Sequence, residues 1–159
     1  MSRCYLDTNF LYVHLRSKAE AVTAPLEQWR RSVSTQVAAD GGVISALVLD
    51  ELAYRLILAW LRDDGVADPL TRYRTEPQIT MRAVRRRLTT TWRAVDSLEL
   101  ELCPTERAVV THAQALMAKP GLGPRDAFHA AHAVVSGCEL IASTNAAFKQ
   151  VPGLSCLAP

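Results

Sequence analysis

Short apolar runs alternate with longer amphipathic stretches along the chain. Cys4-Tyr5-Leu6, Val43-Ile44 and Leu140-Ile141-Ala142 are compact apolar runs bounded by polar or breaker residues. That is the pattern of strands buried on both faces. Leu98-Glu99-Leu100-Glu101-Leu102 alternates strictly, which predicts a strand with one polar side. Apolar positions at helical spacing predict helices over 9–16, about 25–39, 46–61, 77–97, 105–119 and 125–136. Pro25 suits a first helical turn, and Ser45 and Thr105 suit N-caps. Asp40-Gly41-Gly42, Asp63-Asp64-Gly65 and Gly137 read as stops. Residues 66–76 and 120–124 read as loops. Thr144-Asn145 opens a short helical piece ending near Phe148, Pro152-Gly153 turns, and 154–157 form a last strand.

Strands alternating with helices predict an α/β fold with a parallel sheet covered on both faces. No repeat, low-complexity tract or domain boundary interrupts residues 1–159, so one domain is expected. The stretch 62–97 is the one place where a helical insertion fits. In such sheets ligand sites lie beyond the carboxyl ends of the strands, which directs attention to Asp7 after Leu6 and Asn145 after Ala142.

Composition narrows the class. The apolar share is 49% and the charged share 21%, a balance that sustains a core and excludes a disordered chain. No run approaches the ~20 apolar residues of a membrane span, and the first residues lack a signal-peptide pattern. Cys4, Cys103, Cys138 and Cys156 are scattered without a Cys-x-x-Cys pair, which argues against a thiolate zinc site and suits a reducing cytoplasm. The net charge is only +2, but 15 of the 18 basic residues are Arg. The planar guanidinium fork suits phosphate; a codon bias explains the excess equally well.

Four polar residues are candidates for one site, and each also has an ordinary reading. Asp7 could cap the helix that follows it. Glu51 is not placed for a capping box with Ser45, whose third residue on is Val48. It could pair with Arg55 one turn later, or sit partly covered beside Leu47, Val48 and Tyr54. Asp126 could simply favour a helix N-terminus, and Asn145 could be an N-cap. Taken together they occupy strand tips and first helical turns, which share one edge in a parallel sheet. Like charges gathered there need a cation, and hard oxygen donors select Mg²⁺ or Mn²⁺. Other site types lack their signatures. There is no Gly-x-Ser-x-Gly elbow, no phosphate-binding Gly-rich loop and no Gly-x-Gly-x-x-Gly. His112, His129 and His132 read as polar positions on packed helices rather than zinc ligands.

Four motifs, in order, resemble the PIN domain and within it the VapC-like toxin ribonucleases. They are Leu6-Asp7-Thr8-Asn9; Ile44-Ser45 through Leu49-Asp50-Glu51-Leu52; Arg125-Asp126-Ala127-Phe128-His129-Ala130-Ala131; and Ser143-Thr144-Asn145-Ala146-Ala147-Phe148, followed by Val151-Pro152-Gly153-Leu154. The resemblance implies a three-layer α/β/α sandwich with a short, mainly parallel central sheet. It implies a Mg²⁺-dependent endoribonuclease, with Mn²⁺ as substitute, in which Asp7, Glu51 and Asp126 are catalytic and hold metal with Asn145 accessory. Thr8 and Asn9 would contact substrate or a water beside the metal. Where the family usually has Asp, this chain has Asn145, and Ala147 stands where a further Asp is frequent. The departure motivates the alternative of a PIN-like RNA-binding or regulatory module with little activity; a DNA nuclease on the same fold is a third reading. Family membership of this kind also implies a small antitoxin partner and a homodimer. Arg82, Arg86 and Arg93, with Arg85 beside them, line one stripe of the 77–97 helix. They form either an RNA footprint or a solvated face.

Overall fold

A computed structural model describes residues 2–16, 22–119 and 121–159. Its five strands form one parallel sheet in the order β3-β2-β1-β4-β5. They are β1 (Cys4–Leu6), β2 (Gly42–Ser45), β3 (Glu101–Cys103), β4 (Leu140–Ala142) and β5 (Ser155–Leu157). Seven helices connect them: α1 (Thr8–Arg16), α2 (Ala24–Asp40), α3 (Ala46–Asp63), α4 (Pro69–Thr75), α5 (Pro77–Asp96), α6 (Arg107–Ala118) and α7 (Pro124–Val135). A 3-10 turn, Ala146–Gln150, precedes β5.

β1 is central, and its three residues are wholly buried. Alternation along it separates the two faces. Tyr5 faces α7, where its ring meets His129 and stacks on His132. Leu6 faces the other way, against Gly42, where Val37 of α2 and Leu100 also pack. A Cβ at Gly42 would come within 2.6 Å of the Leu100 side chain and 3.0 Å of Val37, so any larger residue there would make these side chains shift. The sheet is parallel, as the alternating pattern predicts, and with its helices it makes the α/β fold that the resemblance implies. α7 lies flat on the sheet because Ala127, Ala130, Ala131 and Ala133 are small and fully buried. Arg16 at the end of α1 clamps Asp63 at the end of α3 through contacts of 2.8 and 3.3 Å.

Three expectations are corrected. Residues 66–76 are not simply loop. Asp68 caps α4 by accepting from the Thr71 backbone N–H at 3.0 Å, and Pro69 stands in its first turn. Proline there is a start signal rather than a breaker. The strict alternation of 98–102 does not produce a strand over that length, since β3 begins only at Glu101. Glu99 takes a left-handed φ of 50°, and Leu100 turns inward over Gly42. Thr105 does not cap α6; the cap position is Glu106, and the Thr105 hydroxyl instead lies 3.3 Å from His132 Nε2. Pro120, which falls in the expected breaker-rich loop, lies outside the described residues.

Candidate metal centre

All five strands are parallel, so the residues that follow them gather at one edge. Asp7 comes directly after β1, and its backbone N–H bonds to the Ala142 carbonyl of β4 at 3.2 Å. This fixes the Asp7 backbone to the end of the neighbouring strand. Its carboxylate is buried and richly bonded. Oδ1 accepts from the Thr8 backbone N–H at 2.7 Å; Oδ2 accepts from Ser143 Oγ at 2.5 Å and from Asn9 Nδ2 at 3.0 Å.

Glu51 reaches the same place from the second turn of α3. Its residue is only 9% exposed. Oε2 accepts from the Thr8 hydroxyl at 2.8 Å and lies 3.2 Å from His129 Nε2. Oε1 is buried and takes no hydrogen bond; its contact is an ion pair with Arg125 Nε at 2.6 Å. Burial alone would push the Glu51 carboxyl up. The bonds from His129 and Thr8, with the charges of His129 and Arg125, outweigh it and hold the group below its ordinary value. Glu51 does not pair with Arg55, whose guanidinium donates to Asn9 Oδ1 at 2.7 Å and covers the Tyr12 ring.

His129 of α7 is the third member, 2% exposed. Its Nε2 lies 3.8 Å from Asp7 Oδ1 as well as 3.2 Å from Glu51. Its Nδ1 faces the Tyr5 hydroxyl at 3.0 Å, which in turn meets Ser45 Oγ at 2.7 Å. Asp7, Glu51 and His129 each offer an atom within 4.8 Å of the others, close enough to share one metal ion. The donor set fits a cation on its own terms: two buried carboxylates meet, and Glu51 Oε1 is met by the mostly exposed Arg125 rather than by a hydrogen bond.

Asp126 and Asn145 sit beside this group. Asn145 Nδ2 donates to Asp126 Oδ2 at 3.0 Å, while its Oδ1 caps the 3-10 turn by accepting from the Ala147 N–H at 3.0 Å. The Asn145 backbone N–H donates to Ser143 Oγ at 3.0 Å, so a chain of bonds runs from Asp126 through Asn145 and Ser143 to Asp7. Asp126 is half-buried and is not one of the three converging groups. Thr8 and Asn9 are spent on the two carboxylates rather than standing free. Arg82 and Arg86 are exposed on α5 and take no part in the bonds described here.

Sequence reasoning missed His129, Ser143 and Arg125. His129 follows Asp126 by three residues, a spacing that puts both on one helical face, and that was the available signal. Beside Arg125 a groove of about 440 Å³ is lined by Leu47, Thr105, Pro124, Phe128 and His132.

Comparison with known proteins agrees with this architecture. A chain in the crystal structure of VapBC2 from Rickettsia felis bound to a DNA fragment from their promoter superposes with a TM-score of 0.60 at 16% identity. The alignment covers 97% of this chain and 96% of that one, a likeness of fold. No curated protein matches the sequence. The family model of the PIN domain matches residues 4–154, a span that takes in Asp7, Glu51, Asp126, His129 and Asn145, and the chain therefore belongs to the PIN domain family.

Proposed function

We propose that this chain is a metal-dependent endoribonuclease and the toxin of a toxin–antitoxin pair. The observation that carries the reading is the convergence of Asp7, Glu51 and His129 on one buried point at the carboxyl edge of a PIN sheet. Asp7 and Glu51 would hold a divalent ion, Mg²⁺ or Mn²⁺, with Asp126 and Asn145 on its outer side. Such an ion, when bound, lowers the pKa of water and neutralises charge on a phosphoryl group.

The chain's own residues supply the rest. Thr8 and Asn9 lock the two carboxylates in place, so no reorganisation is needed when charge develops. Ser143 ties Asp7 to the Asn145–Asp126 pair, which keeps Asp126 facing the same opening. Arg125, with its side chain 67% exposed, can leave Glu51 for a phosphate oxygen. Arg82 and Arg86, with Arg85 and Arg93, would track the RNA backbone through their exposed guanidinium groups. An antitoxin partner is supported by the VapBC2 neighbour, a homodimer by the family resemblance. A cytoplasmic setting is supported by four free cysteines and by the absence, among the described residues, of any helix long and apolar enough to cross a membrane. We take the whole chain, the α4–α5 hairpin included, as one catalytic unit.

A second reading, an RNA-binding module with little activity, is favoured by Asn145, whose amide nitrogen and oxygen are both already engaged. One experiment separates them: wild type and Asp7→Asn are incubated with RNA, and in parallel with DNA, in Mg²⁺, Mn²⁺ or chelator. The nuclease reading expects cleavage of RNA by the wild type alone, abolished by chelator. Equal inertness of both proteins with RNA still bound supports the module, and cleavage confined to DNA overturns the ribonuclease.

A further inference from the structure

We propose that His129 Nε2 is itself a metal ligand, so that the centre selects a first-row transition ion over Mg²⁺. This rests on the reading of the cluster as a metal centre but not on its substrate. The hydrogen-bond chain behind the imidazole carries the argument. Nδ1 faces the Tyr5 hydroxyl at 3.0 Å, and that hydroxyl faces Ser45 Oγ at 2.7 Å. Each hydroxyl can donate or accept, so the chain runs in either direction with the same number of protons. In one direction Tyr5 donates to Nδ1, and the proton on Nε2 is donated to Glu51 Oε2 at 3.2 Å. In the other, Nδ1–H donates to Tyr5, Tyr5 donates to Ser45, and Nε2 presents a bare lone pair.

That lone pair points at two carboxylates, Glu51 at 3.2 Å and Asp7 at 3.8 Å. In this direction three electron-rich atoms face one another, and a bound cation takes the place of the proton that Nε2 otherwise donates to Glu51. A hydrogen bond from the far ring nitrogen is the usual device for orienting a metal-bound histidine, and Tyr5, wholly buried in the central strand, supplies it rigidly. The chemistry of the set then decides the ion. Mg²⁺ takes oxygen and sheds water reluctantly, whereas imidazole suits transition ions. A neutral nitrogen also adds a ligand without adding a third carboxylate's repulsion, which compensates for the uncharged Asn145.

The test uses the full chain with Mn²⁺ and Mg²⁺ as probes. Pulsed electron paramagnetic resonance of the Mn²⁺-loaded wild type is expected to show coupling to a directly bonded ¹⁴N, replaced by ¹⁵N coupling when histidine is ¹⁵N-labelled. Calorimetry is expected to give tighter Mn²⁺ than Mg²⁺ binding. His129→Gln, which offers an oxygen instead, should lose the nitrogen coupling and weaken Mn²⁺ on the order of 10- to 100-fold, with a much smaller loss for Mg²⁺. Tyr5→Phe keeps the ring packing and should weaken Mn²⁺ by roughly 10-fold. Mn²⁺ bound at Asp7 without nitrogen coupling overturns the proposal, as does an equal loss of both ions in folded His129→Gln. Neither result touches the nuclease reading, and failure to cleave RNA by a protein that shows the nitrogen coupling overturns only that reading.

Discussion

Helices α7 and α5 have opposite ways of carrying polar groups. α7 is buried on nearly every side, and its polar residues His129 and His132 are held among alanines, with every ring nitrogen within reach of a partner. α5 buries only Thr80, Val84, Leu88 and Val95 and turns its arginines outward. Arg87 meets Asp64 at 2.7 Å, yet both side chains are 44% exposed, and such a pair contributes roughly 0–1 kcal/mol. Position therefore decides the value of a charge. A polar group inside is costly unless geometry satisfies it, so its partners are fixed and it can do chemistry. A polar group outside is screened and interchangeable, and serves at most as a long-range attractor.

The sharpest way to break this contrast is to exchange crowding between the helices. Ala130→Leu on α7 forces a branched side chain against the sheet and is expected to cost roughly 1–3 kcal/mol in urea denaturation. Arg86→Leu on α5 is expected to stay within about 0.5 kcal/mol; equal costs would mean that α7 is not closely packed. A smaller effect comes from acid. Because the folded Glu51 carboxyl lies below its ordinary value, its contribution to stability is present above the unfolded value and is lost as pH falls through the folded one. Denaturation in chelator should therefore show a flatter acid limb for Glu51→Gln than for the wild type, and superimposable limbs would refute the assignment. The mildest test concerns RNA. Arg82→Ala with Arg86→Ala should leave stability unchanged, weaken RNA binding severalfold at low salt, and lower the slope of log affinity against log salt by roughly 1–2. An unaltered slope would make α5 a purely solvated face.

The difference between the helices also explains what was legible in the chain. Cys4-Tyr5-Leu6 and Leu140-Ile141-Ala142 announce central strands because burial on both faces removes every polar residue, and Asp7 stands out as the first carboxylate after one of them. Glu51 was half legible: it had no capping duty and apolar neighbours, but a pair with Arg55 fitted the chain equally well, and only the family motif chose between them. His129 was not legible, because a histidine among alanines reads the same whatever faces it; its neighbours Glu51 and Tyr5 are distant in sequence. Ser143 was hidden for the same reason, as its role depends on Asp7 across the sheet. α4 was missed because Asp68 and Pro69 mark a helix start with the same residues that mark a turn. The alternation at 98–102 misled because β3 is an edge strand. Leu102 is 56% exposed there, and the chain needs only three residues to pair with β2.

One measurement reaches the centre of the account: calorimetric titration of Mn²⁺ into the wild type, Asp7→Asn and Glu51→Gln, with folding checked by circular dichroism. Saturable binding in the wild type, lost or weakened by about 10-fold or more in both folded variants, is the expected result. Wild-type affinity retained in either variant would contradict a shared ion between the strand tip and α3.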